Sequence, residues 1–116
     1  MKTYHGSCHC GAVQYEVTAD ISKVMRCNCS HCSRKGFLLS FIPKSQFTLQ
    51  SGEEFLTEYR FNTKHIAHLF CKVCGVQCFG SATGPDGVAM VAVNTNTLEN
   101  FSLDGVAIED VDGRSR

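Results

Sequence analysis

Seven of the chain's eight cysteines fall into three short clusters, and no other feature restricts the fold as tightly. Cys8-His9-Cys10 lies near the N-terminus, Cys27-Asn28-Cys29-Ser30-His31-Cys32 follows, and Cys71-Lys72-Val73-Cys74 comes well downstream. Thiols spaced this closely can converge on one ion, whereas a Cys-x-Cys pair is too cramped for an easy disulfide. An even cysteine count would also suit a secreted disulfide framework. Against that, Met1 to Ser7 is polar and lacks the apolar run of a secretory signal, so the expectation is a cytoplasmic protein with metal-bound thiolates.

A chain of 116 residues can bury one modest core, which predicts a single domain over 1–116 that a metal staple would help to hold. Lys plus Arg and Asp plus Glu both number 11, leaving no net field for nucleic acid or an anionic membrane. Seven ligating thiolates on two Zn²⁺ would add about three negative charges and weigh further against nucleic acid. The densest apolar run, Val88 to Val93, is far short of the roughly 18 residues that span a bilayer. A soluble protein without a membrane partner is expected.

The periodicity reads as mainly β. Val13, Tyr15 and Val17 alternate with Gln14, Glu16 and Thr18, the pattern of a half-buried strand over Ala12 to Ala19. Val24 to Arg26 delivers the chain into the triple-cysteine stretch, which reads as a loop to about Gly36. Further strands are expected at Phe37 to Ile42, Phe47 to Gln50, Leu56 to Phe61, Ile66 to Phe70, Gln77 to Ser81 and Val88 to Val93, the last through the core centre. Helical signals are scarce. Asn94 to Asn100 reads as a loop, and Asp110 to Arg116 as a polar tail that frays. The seven phenylalanines from Phe37 to Phe79 fall mostly in strand-like runs and are expected in the core.

Two metal sites follow from the spacing. Cys8 and Cys10 with Cys71 and Cys74 supply four thiolates, which would close a tetrahedral zinc and make it structural. Cys27, Cys29 and Cys32 supply three, which leaves an exchangeable position of the kind found where zinc does chemistry. Cys78 could close this second site, but its place in a strand suits a small buried residue better. His9 and His31 neighbour ligating cysteines, and adjacent side chains of an extended segment point apart, so neither is expected to ligate. His65 and His68 are expected to have surface or hydrogen-bonding roles. Arg26, Arg34 and Lys35 bracket the triple-cysteine stretch, either as an ordinary solvated loop or as an attraction for an anionic thiol.

Ser7-Cys8-His9-Cys10-Gly11, the Cys27 to Cys32 stretch and Phe70-Cys71-Lys72-Val73-Cys74-Gly75, in this order, resemble the glutathione-dependent formaldehyde-activating enzyme family, which includes centromere protein V. The likeness extends to Asp112-Gly113-Arg114-Ser115. It implies a Mss4-like (β-tent) fold of several short antiparallel strands stapled by two zinc ions. It further implies a structural zinc on Cys8, Cys10, Cys71 and Cys74, and a catalytic zinc on Cys27, Cys29 and Cys32. The activity implied is that of a carbon-sulfur lyase resembling S-(hydroxymethyl)glutathione synthase, in which the thiol of glutathione adds to formaldehyde or a related small aldehyde. No residue contacting glutathione follows from the motifs. A noncatalytic zinc-stabilised binding module and a thiolate-zinc redox sensor are the alternatives.

Overall fold

The computed structural model describes residues 1–60, 67–84 and 86–114. Phe61, His65 and Ile66, which figured in the strand and histidine readings, lie outside them.

Among the described residues ten strands and one short α-helix follow one another: β1 (Lys2–Ser7), β2 (Gln14–Ala19), β3 (Lys23–Cys27), α1 (Ser30–Lys35), β4 (Leu39–Pro43), β5 (Phe47–Ser51), β6 (Leu56–Tyr59), β7 (Ala67–Cys71), β8 (Gln77–Thr83), β9 (Ala89–Asn94) and β10 (Ala107–Val111). They form a three-stranded sheet in the order β1-β2-β5 and a seven-stranded sheet in the order β10-β3-β4-β9-β8-β7-β6. The fold is mainly β, as the periodicity required.

Alternation sets the packing. Tyr15, Val17 and Ala19 of β2 point inward, and Val91 and Val93 of β9 meet them from the larger sheet. The β9 strand runs antiparallel between β4 and β8, so the most apolar stretch of the sequence is central. Tyr15 stacks on Phe47 at 5.4 Å, and Phe47 lies 4.7 Å from Phe79, which joins the two sheets through aromatic contact. A second, smaller core of Cys32, Phe37, Leu39 and Ala92 lies under the triple-cysteine stretch, with Cys27 and Cys29 packed against it. Phe41 departs from the expectation for the phenylalanines: it is 37 % exposed and faces outward from β4.

Three parts of the chain differ from the sequence reading. The polar N-terminus forms β1, paired antiparallel with β2 along its whole length. Its outer edge is covered by the loop after β9: Glu99 N–H donates to the His5 carbonyl at 2.7 Å, and His5 N–H donates to Asn100 Oδ1 at 3.1 Å. The triple-cysteine loop contains α1. The tail expected to fray from Asp110 instead completes β10, which pairs parallel with β3, so the strands are not all antiparallel. Beyond β10, Asp112 and Arg114 are hydrogen-bonded to Asn28.

Candidate metal centres

Cys8 and Cys10 lie on the turn between β1 and β2, and Cys71 and Cys74 on the turn between β7 and β8. The two turns are built alike. Cys8 N–H donates to the Val13 carbonyl at 3.0 Å, and Cys71 N–H donates to the Val76 carbonyl at 3.0 Å, each closing a loop of equal length. Gly11 at φ 83° and Gly75 at φ 81° occupy the left-handed region that lets each loop turn back beneath its sulfurs.

The four sulfurs lie within 4.8 Å of one another. Cys8 Sγ is 3.6 Å from Cys10 Sγ, which is 3.7 Å from Cys71 Sγ. A tetrahedron of thiolates at roughly 2.3 Å from zinc has edges of about 3.8 Å, so the donor set fits that ion. All eight cysteines are free thiols, and seven of them gather into donor clusters.

Backbone amides favour the charged form at Cys71 and Cys74, whereas at Cys10 the Ala12 amide is outweighed by burial and the neighbouring Cys8, Cys71 and Cys74 thiols, which push it up to about 11. The Cys74 and Val73 amides lower the Cys71 thiol, with burial opposing them. Burial would raise Cys74, but the amides of Cys10 and Val76, together with the Cys8 and Cys71 thiols, hold it down at about 6. Thiolate is the ligating form.

The second cluster is local. Cys27 ends β3, Cys29 is the N-cap of α1, and Cys32 lies in the helix, their sulfurs again within 4.8 Å of one another. The helix explains the spacing. Cys29 Sγ accepts the Cys32 N–H at 3.3 Å, doing for this helix what a serine or aspartate oxygen does at other N-termini. At the other end Gly36, at φ 68°, returns its N–H to the Cys32 carbonyl at 2.9 Å. Burial would raise Cys29, but the Cys32 amide and thiol, with Cys27 and the His31 amide, outweigh it and hold this thiol below its ordinary range. Burial pushes Cys32 well above that range. The three sulfurs suit a metal with room for one further ligand.

The C-terminal strand clasps this cluster. Arg26 Nε donates to Asp110 Oδ1 at 2.7 Å, and Asn28 N–H donates to the Val111 carbonyl at 3.1 Å. Asn28 Nδ2 donates to Asp112 Oδ1 at 3.1 Å, while Asn28 Oδ1 accepts the Arg114 N–H at 2.9 Å. The clasp brings Gly113 over the thiols: a Cβ there would overlap Cys27 Sγ and stand 3.1 Å from Cys29 Cβ. Nothing local in the sequence tied Asp110, Asp112 or Gly113 to the thiols, because their partners are more than 80 residues away; Asp112 and Gly113 entered only through the family likeness.

The remaining candidates fall outside both clusters. Cys78 is 1 % exposed in the main core, and burial, with the neighbouring cysteines, pushes its thiol up to about 12. His9 is exposed, and neither it nor His31 joins a donor cluster. Arg34 donates to the Ser30 carbonyl at 2.7 Å, and Lys35 sits over the Phe70 ring.

His68 is buried rather than superficial. Its Nδ1 is 3.4 Å from Gln77 Nε2, and its ring centroid is 4.2 Å from that of His31. Burial, with His31 and Lys35 nearby, brings its pKa down to about 4, so it is neutral near pH 7. His68 and Gln77 line a cavity of about 500 Å³ that opens onto Cys27, Cys29 and Cys32. Its other walls come from Met25, Phe37, Leu39, Phe41, Ala92 and Val111. No helix among the described residues is long and apolar enough to cross a membrane.

A family model described as glutathione-dependent formaldehyde-activating enzyme matches residues 3–107. Among solved structures, the crystal structure of a Rhodobacter sphaeroides protein is similar at 31 % identity and a TM-score of 0.79, over 92 % of this chain and 99 % of that one.

Proposed function

The chain belongs to the glutathione-dependent formaldehyde-activating enzyme family, and from that premise we propose that it is a zinc-dependent carbon-sulfur lyase joining the thiol of glutathione to formaldehyde or a related small aldehyde. The observation that carries this reading is the convergence of Cys27, Cys29 and Cys32 at one end of a cavity, with three sulfurs where a closed site would have four. Cys8, Cys10, Cys71 and Cys74 would hold the second, structural zinc. A reducing compartment, the cytoplasm, suits so many unpaired thiols.

When bound by three thiolates, zinc would remove the proton from a fourth thiol at neutral pH and leave its sulfur nucleophilic. The chain's own residues do the rest. The α1 helix and its Cys29 cap fix two of the three thiols relative to each other. Phe37, Leu39 and Ala92 exclude water from the side where sulfur and carbonyl meet. His68, neutral near pH 7 and lining the same cavity, is suited to offer an N–H to the oxygen that gains charge as sulfur adds to carbon. The C–S bond forms, the oxygen takes up a proton, and S-(hydroxymethyl)glutathione leaves. Proximity is the main contribution expected, because the same addition occurs spontaneously in solution.

Replacing Cys29 with serine tests the reading. The folded variant should carry one zinc fewer per chain by elemental analysis. Its rate of adduct formation, followed by exchange NMR, should equal the spontaneous rate. A folded Cys29→Ser protein with wild-type rate excludes the mechanism.

A further inference from the structure

The cavity over the three thiols is far larger than formaldehyde requires. Formaldehyde has two heavy atoms and takes up about the volume of one or two waters, at roughly 30 Å³ each. The cavity offers about 500 Å³, within the size range that encloses much larger ligands. Its walls are apolar from the rim at Met25 and Phe41 down to Leu39, Phe37 and Ala92. Among the described lining residues the one charged side chain of fixed sign is Glu109, whose Oε2 is 3.0 Å from Lys23 Nζ. Among the described lining residues no lysine or arginine is present to form an ion pair with a carboxylate.

Glutathione carries two carboxylates, and the cations lie elsewhere. Arg34 and Lys35 line a separate cleft with His31, Tyr59 and Phe70. Gln77 lines both spaces. Arg26 lines a further cleft that reaches Cys27 and Cys32, so a charged thiol is matched by the clefts outside the apolar cavity, which is left for the carbonyl partner.

Building on the lyase reading, we propose that the carbonyl substrate of this site is an apolar aldehyde several carbons long, with its chain between Met25, Leu39, Phe41 and Ala92 and its carbonyl end toward the three thiols. The step is an addition: the C–S bond forms, the carbonyl π bond breaks, and the proton that left sulfur ends on oxygen. Nothing is oxidised or reduced, and there is no leaving group. Each methylene drawn from water into the cavity strengthens binding about fourfold.

The test uses the zinc-loaded protein, glutathione and the linear aldehydes from formaldehyde to hexanal. Rates above the spontaneous addition should show KM falling about fourfold per carbon until the cavity is filled. Phe41→Glu, at a half-open rim position where folding tolerates a charge, should flatten that trend. A readout independent of turnover is the binding of linear alcohols, whose affinity should rise with length and shift the Met25 methyl resonance. Turnover of formaldehyde with rates that fall as the chain lengthens overturns the proposal and leaves the lyase reading intact. No turnover of any aldehyde, formaldehyde included, overturns both.

Discussion

The ligating form of a thiol is the charged sulfur, and at Cys29, Cys71 and Cys74 the backbone is a main source of the surroundings that favour it. The amides of Val73 and Cys74 serve Cys71, and those of His31 and Cys32 serve Cys29. Cys78, deep in apolar surroundings, is pushed the other way and stays a small hydrophobe. Which cysteines cluster was readable from spacing, but the charge of each thiol was not, because Cys10 and Cys32 are pushed up as well, with burial the main raising cause at both. His68 was not readable, since a histidine in a strand does not announce which cavity it lines. Its depressed pKa has a consequence for stability. Between about 4 and the ordinary 6.5 the unfolded chain binds the proton that the folded chain refuses, so stability is lost as pH falls through that window. Comparing the wild type with His68→Gln isolates this effect, because acid release of metal is common to both. The wild type should lose about 1–2 kcal/mol more than the variant between pH 7 and pH 4.5 in denaturant titrations. Equal losses would mean that the histidine is not buried neutral.

Among the elements, the strands with clean alternation or dense apolar content were legible, and those held by distant partners were not. The β2 and β9 strands carry their pattern locally. In β1, Gly6 takes an inward position where a large side chain would have signalled a strand. The α1 helix has six residues and no apolar stripe, and it is fixed by a cysteine cap and the small core beneath it. The β10 strand is largely exposed, and its register depends on β3, with Arg26 and Asn28 as anchors. This last element bears on function, because it carries Gly113 across the thiols. Gly113→Ala would force the new methyl against Cys27 Sγ, which cannot swing aside while it ligates. Zinc affinity at the Cys27, Cys29 and Cys32 site should fall about 10-fold or more, with the other site unaffected, in competition titrations against a chelator. Unchanged affinity at both sites would show that the clasp does not constrain the thiols.

At the scale of the whole molecule the two clusters have different reach. Cys8 and Cys10 hang from the three-stranded sheet, and Cys71 and Cys74 from the seven-stranded one, so an ion held by all four would rivet the sheets together. Cys10 and Cys71 are 61 residues apart in the chain, a long closure for one contact to hold. Cys27, Cys29 and Cys32 span a single connection within the larger sheet. Cys10→Ser should therefore lower the melting temperature well below that of Cys29→Ser, whose damage should be confined to metal content and activity. Equal destabilisation by the two substitutions would contradict this division between a staple and a working site.

The central claim is that the chain holds two zinc ions and that one of them accepts an outside thiol. Native mass spectrometry of protein purified without chelators, with and without glutathione, addresses it most directly. The predicted spectrum shows two zinc ions per chain and one bound glutathione, with one zinc and the glutathione lost together in Cys29→Ser. A single tightly held zinc whose mass is indifferent to glutathione would contradict the claim and leave a zinc-stapled binding module in its place.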